Sequence, residues 1–118
     1  MKKLIIVCIA FAISATSCRS LTSNTTIKPN DSFVLGNNEH GSFSVKLKNV
    51  SANDLTVYLA PISGGTHSPQ VVKPNQSVSV KVDKNTALIV DNKSNKTTSV
   101  DLKVVGDTGL SMGYKSQN

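Results

Sequence analysis

Ser42-Phe43-Ser44-Val45-Lys46-Leu47-Lys48 alternates polar and apolar residues without a break. Successive side chains of an extended chain point to opposite faces, so Phe43, Val45 and Leu47 share one wall while Ser44, Lys46 and Lys48 share the other. A strand with one apolar and one polar wall is half buried. Leu55-Thr56-Val57-Tyr58-Leu59, Ser77-Val78-Ser79-Val80-Lys81-Val82 and Val100-Asp101-Leu102-Lys103-Val104 repeat the design. Ala87-Leu88-Ile89-Val90 is apolar on both parities, as expected of a strand covered on both faces at the centre of its sheet. Ser32–Leu35 and Leu110–Tyr114 read as weaker terminal strands, and Val71-Val72 as a short edge.

Turn-forming residues separate these runs: Gly36-Asn37-Asn38, the 49–54 stretch, Ser63-Gly64-Gly65, Pro74-Asn75, the 83–85 and 91–96 stretches, and Gly106 to Gly109. No stretch after the first eighteen residues carries a helical stripe. Short strands with turn signals every 8–12 residues or so predict an all-β sandwich of seven or eight antiparallel strands over residues 31–118. Enrichment in Val, Thr and Ser agrees with that reading.

The strands carry an internal echo. Ile27-Lys28-Pro29-Asn30-Asp31-Ser32-Phe33-Val34-Leu35 parallels Val72-Lys73-Pro74-Asn75-Gln76-Ser77-Val78-Ser79-Val80. Asn49-Val50-Ser51 parallels Asn92-Lys93-Ser94, and Leu55-Thr56-Val57 parallels Val100-Asp101-Leu102. Each half would hold a Pro-Asn turn, two strands, an Asn-x-Ser turn and a further strand. The second half resembles the repeating unit of immunoglobulin-like domains in bacterial envelope proteins, which implies a small immunoglobulin-like β-sandwich.

The N-terminus has a different character. Lys2 and Lys3 precede the apolar run Leu4 to Ile13, and the small residues Ala15, Thr16 and Ser17 lead into Cys18. That is the layout of a cleaved secretory signal. Its apolar run is well short of the roughly 20 residues a membrane-spanning helix needs. Ala15-Thr16-Ser17-Cys18 resembles the lipobox of bacterial lipoproteins, with Ala15 where leucine is commoner. The resemblance implies a diacylglyceryl group on the Cys18 sulfur, cleavage before Cys18 and acylation of the new amine. Residues 1–17 then form the lipoprotein signal peptide, and residues 18–30 the lipidated cysteine and a flexible, Ser/Thr/Asn-rich tether. Cys8 lies within the leader, so lipidation also accounts for the one cysteine left behind.

The chain holds 13 Lys and Arg against 7 Asp and Glu, with Lys2 and Lys3 in the leader. The remaining lysines are spread along the sequence, and Arg19 is the arginine. Phe33, Phe43, Tyr58 and Tyr114 are the aromatics beyond the leader. Nucleic-acid binding needs clustered cations and stacking aromatics, so no nucleic-acid partner is expected. His40 and His67 stand apart in turn-rich stretches without clustered carboxylates, so no metal site and no cofactor are expected. Gly109-Leu110-Ser111-Met112-Gly113 matches G-x-S-x-G in letters, but it runs into the terminal strand Leu110–Tyr114 with no helix pattern after it, so it does not read as a nucleophile turn. Asp107-Thr108-Gly109 matches the catalytic tripeptide of aspartic proteases, but with Gly106 before it the segment reads as a turn. No catalytic residue is assigned. The stretch Pro61 to Pro69 reads as the longest irregular segment, and Ser63, Gly64, Gly65, Thr66 and His67 form a candidate ligand loop on a rigid sandwich.

These features together predict a lipid-anchored envelope protein, not an enzyme, held at the outer membrane and facing the periplasm. It would act as a binding or structural module for an envelope protein or a glycan. The alternative class is an inhibitor of an envelope-attacking enzyme such as lysozyme or a protease.

Overall fold

The computed structural model describes residues 20–116. They form nine strands and no helix: β1 (Ser20–Ile27), β2 (Asp31–Leu35), β3 (Phe43–Asn49), β4 (Leu55–Pro61), β5 (His67–Val72), β6 (Ser77–Val82), β7 (Thr86–Asn92), β8 (Thr98–Gly106) and β9 (Met112–Ser116). All pairings are antiparallel. One sheet has the order β1-β8-β3-β6 and the other β5-β4-β7-β2-β9. The chain is therefore the expected all-β sandwich, with nine strands where the sequence suggested seven or eight.

The alternating strands behave as their pattern dictates. Phe43, Val45 and Leu47 of β3, Leu55 and Val57 of β4, and Val100, Leu102 and Val104 of β8 are all buried in one core. Every residue of β7 is buried. It lies between β4 and β2, the central position that its two-sided apolar run requires.

Two readings are corrected. Residues 20–27, expected to be part of a tether, form β1, which pairs with β8 along its whole length from Ser20–Val105 to Ile27–Thr98. Ile27 is fully buried in the core. The second correction is connectivity. An immunoglobulin sandwich places its first, second, fifth and fourth strands in one sheet. Here the sheets interleave early and late strands, which is the order of an eight-stranded jelly roll built from two Greek keys, with β9 added at an edge.

The echo in the sequence is also an echo in the topology. Advancing β1, β2, β3 and β4 to β5, β6, β7 and β8, and the reverse, converts β1-β8-β3-β6 into β5-β4-β7-β2. The two sheets exchange, and only β9 has no counterpart. Matching turns follow. Lys28-Pro29-Asn30-Asp31 closes with Asp31 N donating to Lys28 O at 3.2 Å, and Lys73-Pro74-Asn75-Gln76 with Gln76 N donating to Lys73 O at 3.0 Å. Proline fixes the second residue, and asparagine takes the left-handed third position, with φ of 58° at Asn30 and 66° at Asn75.

Asn49 and Asn92, both fully buried, organise the other pair of turns. The Asn49 amide donates to Asn53 O at 2.7 Å and Val72 O at 2.9 Å. That of Asn92 donates to Lys96 O at 2.7 Å and Ile27 O at 3.0 Å, the corresponding carbonyls, and to Lys28 O at 3.1 Å. Each side-chain carbonyl accepts from the backbone and hydroxyl of the serine two residues on, Ser51 or Ser94.

One end of the sandwich carries the start of β1 and the loops 36–42, 62–66, 83–85 and 107–111. The opposite end carries the Pro-Asn and Asn-x-Ser turns. The outer faces of both sheets are left open.

Candidate functional site: two related grooves

Each outer face carries an open groove at a corresponding place. The groove on the four-stranded sheet has a volume of about 610 Å³ and crosses β1, β8, β3 and β6. Strand alternation turns Lys46 and Lys48 of β3, Lys103 and Asp101 of β8, Thr22 and Asn24 of β1, and Ser77 of β6 outward to line it. Register sets the order across the sheet. Thr22, Lys103, Lys46 and Ser79 form one row, and Asn24, Asp101, Lys48 and Ser77 the next. The Asp101 carboxylate accepts a hydrogen bond from Asn24 Nδ2 at 2.6 Å. The groove therefore presents three ammonium groups against one engaged carboxylate.

The groove on the five-stranded sheet is about 410 Å³, lined by Thr56, Tyr58, Thr66, His67, Pro69, Asp91 and Lys93. Asp91 projects from the centre of this sheet and is only 6% exposed. Its carboxylate accepts from the Ser32 hydroxyl and, at 3.4 Å, from the Tyr58 hydroxyl. Partial burial, followed by the Asp91 charge and that hydrogen bond, raises the Tyr58 phenol above its ordinary range.

The candidate ligand loop divides at this groove. Thr66 and His67 line it, whereas Ser63, Gly64 and Gly65 form a turn beyond it. Gly64 N closes that turn onto Pro61 O at 2.9 Å, and both glycines adopt positive φ, 122° and 78°. His67 is the first residue of β5 rather than part of a loop. Its Nδ1 meets the hydroxyl of neighbouring Ser68 at 2.9 Å. Among the described residues no hydrogen bond links His67 to Asp91 or to Ser32, so the three are not arranged as a proton relay.

The other singled-out residues are structural. His40 is buried, with Nε2 2.8 Å from Thr86 O and Nδ1 2.5 Å from Gly41 O, and it packs edge-on against Phe43. The Asp107 carboxylate accepts from Gly109 N at 2.8 Å and Gly41 N at 2.6 Å, which ties two loops together. Among the described residues no three His, Cys, Asp or Glu side chains are grouped to hold a metal ion. Cys18 lies outside the described residues. Sequence reasoning marked the outward lysines without assigning them a site; that β3 and β8 are neighbours, which gathers them, is a matter of topology.

No family model matches the chain. No curated protein matches it either. Among solved structures it resembles the capsular polysaccharide assembling protein CapF from Staphylococcus aureus, at 16% identity and a TM-score of 0.55 over 73% of this chain. The chain spans 24% of the length of that protein. It also resembles the Yersinia pseudotuberculosis-derived mitogen, at 18% identity and a TM-score of 0.51, with 74% of this chain and 85% of the other covered. At these identities the likeness is one of fold.

Proposed function

We propose that this chain is a lipid-anchored envelope protein whose sandwich serves as a non-catalytic binding module, held at the outer membrane on the periplasmic side. The observation that carries the reading is the position of Cys18, at the end of a short apolar leader and two residues before the first core-forming strand. Two residues reach at most about 7 Å. A lipid on Cys18 would hold the sandwich close to the bilayer, with the start of β1 and the loops 36–42, 62–66, 83–85 and 107–111 at the membrane-near end. The sheet faces, with their grooves, would stand to the side, open to an envelope protein or glycan. A single acyl chain binds reversibly, whereas two or three on one residue give a durable anchor.

The test is expression of Cys18→Ala in the native host with fractionation of the envelope. The wild-type chain is expected with the membranes, and the variant in the soluble fraction or as uncleaved precursor. A variant that stays membrane-bound at processed size overturns the anchor.

A further inference from the structure

We infer that the groove on the four-stranded sheet binds an acidic polysaccharide, with Lys46, Lys48 and Lys103 as its principal contacts; this deepens the binding role proposed above.

Lysines on outer strand faces commonly protect exposed sheet edges from pairing with other chains. That explanation does not reach these three. They stand on β3 and β8, the two central strands of the sheet, while the edges are β1 and β6. Lys46 and Lys103 are also directly opposite each other in the register. Like charges placed so destabilise a sheet.

The two-fold echo in the topology supplies a control within the same molecule. The positions of the other sheet that correspond to the Lys46–Lys103 pair are Ile89 and Tyr58, which face each other in the same way. The Lys48–Asp101 pair corresponds to Asp91 and Thr56. The fold therefore accepts an apolar–aromatic pair where it carries two opposed ammonium groups, and nothing in the architecture demands lysine there.

The shape selects the class of anion. The groove is open and crosses four strands, whose three gaps of about 4.8 Å give a track roughly 14 Å long. That suits a chain with repeating negative charge better than a small ion. Thr22, Asn24 and Ser77 stand beside the lysines and supply hydrogen bonds suited to sugar hydroxyls. Among the described residues no aromatic side chain lines the groove, so it offers neutral sugars and nucleobases no stacking platform. A bilayer presents a broad surface rather than a strand that can settle along a groove.

The test uses the full-length chain in mild detergent, with polygalacturonate and heparin as probes, uncharged dextran as control and phosphatidylglycerol vesicles as competitor. Binding to both acidic polymers is expected, weakened by salt, with none to dextran. Combining Lys46→Gln, Lys48→Gln and Lys103→Gln should weaken binding by roughly tenfold or more. Combining Lys28→Gln, Lys73→Gln and Lys96→Gln, at the turns of one end and outside both grooves, should change it less than about twofold. If the groove variant unfolds, Lys46→Ile with Lys103→Tyr, the pair already present on the other sheet, replaces it and should show the same loss. Equal losses from both lysine sets would mean diffuse charge and overturn the site. So would unchanged binding by the groove variant, binding of dextran, or vesicles displacing both polymers at lower charge concentration.

Discussion

Asn49 and Asn92 show how much one side chain can hold. Each is fully buried at the end of a central strand and bonds to carbonyls of two separate segments while capping a serine turn. Asn92→Ala would strip Ile27, Lys28 and Lys96 of a donor at once. The expected cost is about 2–4 kcal/mol, since each buried group left unsatisfied costs roughly 1–3 kcal/mol and some will find water. Denaturant unfolding would measure it, and Asn49→Ala should match within about 1 kcal/mol if the two turns are equivalent. A second residue-scale prediction concerns Tyr58. Its phenol is held above the ordinary range by burial first, then by the Asp91 charge and hydrogen bond. The folded state therefore keeps that proton more tightly than the unfolded chain. This contribution to stability is intact below about pH 10 and is lost as pH rises from there through the folded pKa. Asp91→Asn should lower the Tyr58 pKa toward its usual value in an ultraviolet titration; an unchanged value would mean that burial alone sets it.

At the scale of elements, alternation read the strands well where apolar residues fill the inward parity. Val45 and Leu47, Val57, Leu102 and Val104 announce their own burial. β1 escaped because its inward positions include Ser23 and Thr25, whose hydroxyls bond each other at 3.0 Å. Polar residues facing inward at a sheet edge satisfy one another and leave no hydrophobic signal. Of β5 only the Val71-Val72 edge was legible, and its extension back to His67 was missed for a different reason. β5 is an edge strand with Pro69 inside it, which an edge tolerates because one side of its backbone needs no partner. The strand status of β1 has a direct consequence. Ile27→Ala should cost about 2–4 kcal/mol, the usual price of truncating a fully buried isoleucine. A tether residue would show no change in the denaturation midpoint.

For the whole molecule, period-2 patterning specifies which face each residue takes but not which strand lies beside which. The sandwich was therefore legible and its jelly-roll order was not. The Pro-Asn and Asn-x-Ser echoes were the readable trace of a two-fold arrangement in which the halves exchange sheets. That symmetry gives the molecule two grooves from one design, one basic around Lys46 and Lys103, the other built on Asp91 and Tyr58. The basic groove was invisible in the sequence because Lys103 lies more than fifty positions from Lys46 and Lys48, and only pairing of β3 with β8 assembles them. The candidate loop was legible in part, since Thr66 and His67 reach a groove while the glycines turn away from it.

The central proposal is that Cys18 carries the lipid that holds this sandwich at an envelope membrane. Intact-mass spectrometry of the protein extracted from native membranes tests it most directly. The expected species begins at Cys18 and is heavier than the polypeptide by a diacylglyceryl group and an amide-linked acyl chain. A free thiol at Cys18, or a chain that still carries residues 1–17, would contradict it.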